Sequence, residues 1–265
     1  MKLLLVLFVV FISVVQAKEN DLYFNAGLIG MSMDYREYDD NSQILDSEKS
    51  DFSQMMGIEL GLSYVLNAAD DDFSQFDVVF ERIVGKTDYV GAYLHSGGGY
   101  GSLQGKTLNT IVNFDVDYLY GLGITPRVHL LAGAAFGYRS WERSLSANQV
   151  ETYNWAYAAP KFGLQYVKEL LKITFMLGYK YGISPQMSAT GINDTFKLGS
   201  ANTLDTSLKV NYSIRPKTAV YATYVYENQE IEKSNVVYSS DGTGYLEPAS
   251  TANNQYIKFG FTFKY

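Results

Sequence analysis

The sequence predicts an all-β chain whose strands form a transmembrane up-and-down antiparallel β-barrel. Three observations predict this fold. Apolar and polar residues alternate with a period of two along most of the chain, tyrosine and phenylalanine are abundant, and short turns alternate with long loops. Because successive side chains of a strand point to opposite faces, such alternation indicates a sheet with one apolar and one polar face.

The alternation divides the chain into about ten strands, an even number as in most barrels of this kind. The predicted strands cover residues 21–37, 52–67, 75–93, 106–123, 127–143, 152–168, 171–184, 203–214, 218–232 and 254–265. The first and third strands are less regular than the others, and Gly85 in the third indicates a bulge or the membrane edge.

The last predicted strand shows the pattern most clearly. Its even positions carry small or charged residues, for example Lys258 and Gly260, whereas its odd positions are bulky and apolar. The bulky positions are Ile257, Phe259, Phe261, Phe263 and Tyr265. One side of this strand therefore suits lipid and the other suits water or polar groups.

The connections between strands alternate in length. Those after the fourth, sixth and eighth strands are tight turns, and those after the odd strands are longer and rich in glycine, serine, asparagine and aspartate. Short turns at one end and long loops at the other are typical of outer-membrane barrels. An even strand number also places both ends of the barrel domain on the turn side.

The first 17 residues predict a secretory signal peptide. Lys2 is followed by an apolar stretch, and the small-x-small pattern that ends at Ala17 fits a signal peptidase site. We expect residues 1–17 to be removed and residues 18–265 to form one barrel domain. The apolar stretch is shorter than the roughly 20 residues that a transmembrane helix requires.

Composition narrows the function classes. The net charge is −7 and there is no basic cluster, which argues against nucleic-acid binding. Charged residues make up 18% of the chain and aromatic residues 15%, which fits a surface that contacts lipid rather than water. With no cysteine there is neither a disulfide framework nor a thiolate metal site.

Alternation alone does not say which face is inside, because a soluble carrier barrel alternates too. Here the polar face consists mostly of small residues, which fit a narrow lumen, whereas ten rows of leucine, phenylalanine and tyrosine would overfill it. We therefore expect the apolar face to lie outside, against lipid. None of the regular strands carries lysine or arginine on that face.

The chain resembles the small Gram-negative outer-membrane β-barrels of the OmpA type and omptin type. The resemblance rests on the signal peptide, the rhythm of strands and loops, and the terminal aromatic pattern, and it covers essentially residues 18–265. It implies a location in the outer membrane. It also implies that the barrel assembly machinery reads the terminal signal Phe259, Phe261, Phe263 and Tyr265.

Charged residues on the polar face predict a network inside the lumen. Buried charges must pair or be hydrated, so a brace of ion pairs is favoured over an ion pathway. The predicted network is Glu59, Asp77, Glu81, Asp115, Asp117, Arg139, Lys161, Lys180, Lys209 and Lys258, with Lys172 nearby.

An enzyme of the omptin type would need an aspartate pair facing a histidine and aspartate at the loop-side rim. Asp115 and Asp117 fall near the middle of a strand, and His129 lies beside a short turn. Such a mechanism would have to use His95, with Asp88, and the favoured interpretation is an ordinary polar loop residue. We therefore assign no catalytic residue.

Two further clusters have simple interpretations. Trp141, Tyr153, Trp155 and Tyr157 could stack on sugars, but their position near strand ends favours an interfacial girdle or packing at the lumen rim. The acidic segment 39–51 could hold a loose cation, but a solvated acidic loop is favoured. We predict no metal and no cofactor.

The sequence thus predicts an integral outer-membrane barrel with a largely filled lumen and a structural or surface-interaction role. A narrow porin-like channel and a rim-located hydrolase are the alternatives. The expected partners are outer-membrane lipid, lipopolysaccharide and the assembly machinery, with no nucleic acid, and the expected state is a monomer.

Overall fold

The computed structural model describes residues 20–67, 71–92, 99–146, 148–238 and 242–265. Ten long strands form one antiparallel sheet that closes on itself. Within these ranges no helix is long and apolar enough to cross a membrane. The predicted signal peptide and its cleavage site at Ala17 lie outside the described residues.

The barrel strands are numbered in chain order. They are β1 (Asn20–Tyr38), β2 (Ile44–Asn67), β3 (Phe73–Gly91), β4 (Leu103–Thr125), β5 (Val128–Ser146), β6 (Gln149–Lys168), β7 (Leu171–Ala189), β8 (Ala201–Arg215), β9 (Thr218–Ile231) and β10 (Ala249–Lys264). A short strand, Phe196–Lys197, pairs with β7, and the loop after β9 contains a small hairpin, Val237–Tyr238 with Gly244–Tyr245.

Each strand pairs with its neighbours in sequence, and β1 pairs with β10 to close the barrel. The closing register runs from Tyr23 opposite Lys264 to Tyr38 opposite Ala249. Complete closure leaves no unpaired strand edge, which a barrel in hydrocarbon requires. The predicted transmembrane antiparallel barrel of about ten strands is thus confirmed.

The strands extend further toward the long loops than predicted, most of all in β2. The sequence predicts a loop up to Asp51, but β2 begins at Ile44, and its register shifts between Lys49 and Met55. The bulge lies on β2 rather than on β3, where Gly85 only faces it. A bulge inserts unpaired residues, so the period of two cannot be followed through it.

The apolar rows face outward, as predicted. Leu28, Phe162 and Phe259 are 63%, 59% and 60% exposed, although each is a large apolar side chain. Such residues recur on every strand and form a continuous apolar belt around the turn-side part of the barrel. A belt of this kind indicates contact with lipid.

The outward face becomes polar toward the long loops. Asp34 on β1 forms ion pairs with Arg36, at 3.1 Å, and with Lys49, at 3.3 Å. On the irregular β3, Arg82 and Lys86 also point outward toward the loop side. Long side chains of this type can reach water from the edge of the belt. The loop-side part of the barrel therefore stands above the membrane.

The lumen has two different halves. Its turn-side half contains a cavity of about 490 Å³, which we call the vestibule. Its loop-side half is filled by buried side chains, which we call the plug. The plug comprises Ile29, Met31, Met33, Tyr35, Met55, Ile83, Ile111, Trp141, Arg143, Tyr153 and Trp155, each at most 3% exposed.

Candidate functional site

Arg143 on β5 is the centre of the plug. Its guanidinium donates to Glu48 on β2 at 2.9 and 3.0 Å, to Glu37 on β1 at 2.7 Å and to Glu151 on β6 at 2.9 Å. The side chain of Arg143 is only 1% exposed. Since arginine does not lose its proton in proteins, this cluster holds a permanent positive charge among several carboxylates.

Aromatic side chains surround the same guanidinium. It lies 4.4 Å from the ring centre of Tyr35 and donates to the hydroxyl of Tyr153 at 3.0 Å. Trp141 contacts both rings, and its indole donates to Asn109 at 2.7 Å. Cation–π contacts and hydrogen bonds thus satisfy the buried charge from several strands at once.

A long loop, residues 232–248, reaches this cluster through Glu247. The carboxyl of Glu247 accepts a hydrogen bond from Tyr153, and its backbone amide donates to Ser234 at 2.9 Å. Burial raises the pKa of Glu247 well above its ordinary value, and the nearby carboxylates of Glu37 and Glu151 raise this pKa further. The raised pKa favours the protonated form of Glu247, and a proton on this carboxyl reduces the excess of negative charge.

A second charged layer separates the plug from the vestibule. Arg139 donates to Glu227 and to Gln229, both at 2.8 Å, and Lys180 donates to the other oxygen of Glu227 at 2.6 Å. Tyr256 also donates to Glu227, at 2.7 Å. Glu227 thus joins β5, β7, β9 and β10 across the lumen.

The vestibule contains the next ion pairs. Lys258 on β10 reaches across β1 to Glu59 on β2, at 3.0 Å, and to Glu81 on β3. Tyr221 on β9 donates to the same Glu59 at 2.7 Å. These contacts cross the seam at which the first and last strands meet.

The remaining predicted network residues are placed as follows. Asp117 pairs with Lys161, and Asp115 accepts a hydrogen bond from Tyr157. Asp77 accepts from Gln75, at 2.9 and 2.8 Å. Lys209 has no ion pair among the described residues, and its ammonium lies 4.4 Å from the ring centre of Tyr221. All ten predicted residues face the lumen, but only some of them contact one another.

The sequence analysis missed Arg143, Glu48 and Glu227. Arg143 continues the inward row of Arg139 and Trp141, so extending the alternation of β5 would have found it. Glu48 was assigned to a solvated acidic loop, which is wrong because it lies on β2 and is fully buried. The bulge that follows Glu48 hides its face from any periodic pattern.

Of the two interpretations given for the aromatic cluster, packing in the lumen agrees with the structure and the interfacial girdle does not. Trp141, Tyr153, Trp155 and Tyr157 are at most 3% exposed and point into the lumen. These four residues lie on the parts of the strands above the apolar belt. Their rings therefore fill the interior of the barrel instead of anchoring its outer wall to lipid.

The residues considered for catalysis do not meet. Asp115 and Asp117 line the vestibule, whereas Nε2 of His129 donates to the backbone oxygen of Asp71 at 3.1 Å on the turn side. Asp88 pairs with Lys106 on the outward face. His95 lies outside the described residues. Among the described positions, no three histidine or acidic residues form a group that could hold a metal ion.

The terminal aromatic row lies on the outer wall. Phe259, Phe261 and Phe263 are about half exposed or more, and the amide of Tyr265 donates to Leu22 at 2.9 Å. These three rings belong to the apolar belt, whereas Tyr265 follows the last paired residue.

Comparison with known proteins finds structural likeness only. No protein-family model matches the chain, and no curated protein matches it. The outer membrane protease OmpT from Escherichia coli superposes with a TM-score of 0.57 at 13% identity, over 94% of this chain and 99% of that one. At this identity the likeness shows the fold alone.

Two further solved structures superpose less well. The transport unit of the autotransporter AIDA-I from Escherichia coli has 10% identity and a TM-score of 0.46, over 94% of this chain and 92% of that one. The outer membrane protein OprG from Pseudomonas aeruginosa has 12% identity and a TM-score of 0.45, over 94% and 97%. The closed ten-stranded sheet and the likeness to OmpT show that the chain has the fold of Gram-negative outer-membrane β-barrels.

Proposed function

We propose that this protein is an integral outer-membrane barrel with a closed lumen and a structural or surface-interaction role. The outward apolar belt supports the membrane location, because closure and lipid-facing leucine and phenylalanine rows are what hydrocarbon requires. The mature chain would begin at Lys18, after export into the periplasm and cleavage of the signal peptide.

The filled loop-side half of the lumen carries the closed-lumen proposal. Above the vestibule, the layer of Arg139 and Glu227 is followed by buried apolar side chains and then by the Arg143 cluster. Ions would have to cross this dehydrated layer to pass through. The arrangement favours a brace over the alternative, a narrow channel.

Any specificity then belongs to the loop side. The hairpin after β9 buries Val237 against the apolar side chains of the plug. It exposes Val236, Tyr238, Tyr245 and Leu246. Exposed apolar and aromatic residues on a rigid scaffold are typical of interaction surfaces. We propose lipopolysaccharide and surrounding lipid as neighbours, the barrel assembly machinery as the partner during insertion, and a monomer as the final state.

Conductance in planar bilayers tests the closed lumen. We expect the purified wild-type barrel to give no stable current steps, whereas Trp141→Ala combined with Arg143→Ala removes two of the largest plug side chains and should give steps. Protection of the inserted protein from protease shows that both proteins are in the bilayer. Equal steps from the wild type and the double variant would establish the channel instead.

A further inference from the structure

The five lysines of the vestibule fall into two groups. Lys161, Lys180 and Lys258 each have a carboxylate oxygen within ion-pair distance. Lys172 and Lys209 also line the cavity, but within the described residues neither forms a hydrogen bond or an ion pair. Among the described residues, these two cationic side chains of the lumen therefore have no carboxylate oxygen within ion-pair distance.

These two lysines are neighbours on the same wall. Lys172 on β7 is opposite Asn211 on β8, and Lys209 on β8 is opposite Thr174 on β7. They are thus diagonal neighbours on the inward face, about 7–8 Å apart at the backbone. Their long side chains can bring both ammonium groups to one small ligand.

The neighbouring positions on this wall are donors, and Glu59 on β2, whose charge also acts on Lys209, is already paired with Lys258. Asn211 is 9% exposed and faces the cavity, and its side chain has no hydrogen-bond partner in the part of the chain that the structure describes. Gln165, Thr174 and Thr223 line the same wall. The facing carboxylate, Asp77 on β3, is hydrogen-bonded to Gln75 instead. The wall is therefore a local group of hydrogen-bond donors on one side of the vestibule.

Two adjacent ammonium groups inside a lumen repel each other and lose hydration, both of which cost free energy. An oxyanion between them removes the repulsion and forms charge-assisted hydrogen bonds. The cavity of about 490 Å³ is within the usual range for small-molecule sites, and its turn-side mouth gives access.

We propose that the vestibule binds a small oxyanion, a carboxylate or phosphate compound, through Lys172 and Lys209, with Asn211 donating a further hydrogen bond. The ligand enters from the turn side. This proposal goes beyond the closed-barrel function, because a structural barrel needs no ligand.

The test uses inorganic phosphate and succinate as probes on the full barrel folded in detergent. Calorimetric titration at constant ionic strength should show saturable binding of at least one probe to the wild type. Lys172→Met combined with Lys209→Met should weaken this binding at least about tenfold, because it removes both charges. Lys168→Met combined with Lys217→Met is the matched control, since both lysines are exposed at the turn side.

A second measurement separates a ligand site from a structural role. Without probe, Lys172→Met with Lys209→Met should unfold at the same temperature as the wild type or higher, because unpaired buried charges are lost. Added probe should raise the unfolding temperature of the wild type and the control only. Absence of saturable binding to the wild type, equal binding by all three proteins, or failure of the lysine variant to fold would overturn the proposal. Conductance and heat-modified gel mobility report on the closed barrel independently.

Discussion

Arg143 is paired with more carboxylates than any other described cation in the loop-side half of the lumen. It neutralises carboxylates from β1, β2 and β6 while being almost completely removed from water. A whole buried ion pair can often be replaced by apolar residues without loss of stability. Removal of the arginine alone is different, because it leaves its carboxylate partners buried without a counter-ion. The effect of a substitution is therefore much larger than the value of any one hydrogen bond.

We expect Arg143→Met to lower the free energy of unfolding by about 3–5 kcal/mol, since Glu37, Glu48 and Glu151 would lose their counter-ion. Urea unfolding in detergent measures this. Arg36→Met is the control, because its pair with Asp34 lies on the outward face and is 40% exposed. Exposed pairs contribute about 0–1 kcal/mol. Equal losses in both variants would contradict the role of Arg143.

The raised pKa of Glu247 predicts that the stability of the long loop after β9 depends on pH. Its pKa is raised in the folded protein, first by burial and then by Glu37 and Glu151, while Tyr153 and Arg143 oppose the shift. The folded state therefore binds more protons than the unfolded state above the ordinary glutamate pKa. The stabilising effect of this proton is fully present below the ordinary pKa of glutamate, and it is lost as the pH rises from there through the raised pKa.

Hydrogen exchange of residues 232–238 and 242–248 measures this effect. We expect protection in the wild type to fall as pH increases from acidic to alkaline, after correction for intrinsic exchange. Glu247→Gln keeps the acceptor for Tyr153 but does not titrate, so its protection should stay constant. The prediction is wrong if the two proteins lose protection in parallel.

At the scale of the strand, the closing seam depends on glycines. Tyr221 on β9 lies against Gly260 on β10 and Gly27 on β1, so that its hydroxyl reaches Glu59 on β2. A Cβ on Gly260 would lie 2.3 Å from the backbone oxygen of Ala26. Because both the ring and the neighbouring strand occupy this space, the strands must separate to admit a methyl group.

Gly260→Ala should therefore destabilise the barrel by about 1–3 kcal/mol, the usual cost of overpacking. The temperature at which gel mobility changes on heating measures this loss. Gly105→Ala on β4 is the matched control, since nothing lies within 4 Å of the added Cβ. If Gly260→Ala behaves like Gly105→Ala, the seam is looser than the packing indicates.

Elements also differ in how far the sequence could predict them. The strands in the membrane belt were predicted well, for example β4 and β7, because the bilayer imposes apolar residues at alternate positions. The parts above the belt were not, since there both faces can be polar or aromatic. β2 shows the limit, because the bulge before Met55 moves Glu48 to an inward row that no period of two predicts.

For the candidate site, the sequence predicted which residues face the lumen, but not which of them contact one another. The predicted lumen residues lie on the inward face because inward and outward positions alternate along the regular parts of the strands. Which residues meet depends on the register and tilt of ten strands, and Lys258 reaches β3 across two strands. Pairings over such distances follow from closure of the whole barrel and not from any local pattern.

At the scale of the whole molecule, the apolar outer face and polar inner face of the barrel wall lead to a strong prediction. Leu177 points outward from β7 within the apolar belt and is 41% exposed. Leu177→Arg should cost about 2–4 kcal/mol, because arginine is expensive in hydrocarbon. Ser144→Arg lies on the outward face near the loop end of β5, so it should cost less than about 1 kcal/mol. Refolding into lipid vesicles with urea titration measures both, and equal effects would contradict a lipid-facing wall.

The division of the lumen into an occupied upper part and an open lower part has a consequence for traffic. A container with one mouth can be filled and emptied, but it supports no net flow from one compartment to the other. If the plug closes the lumen as proposed, whatever enters must leave by the way it came, so uptake by this molecule would level off with concentration.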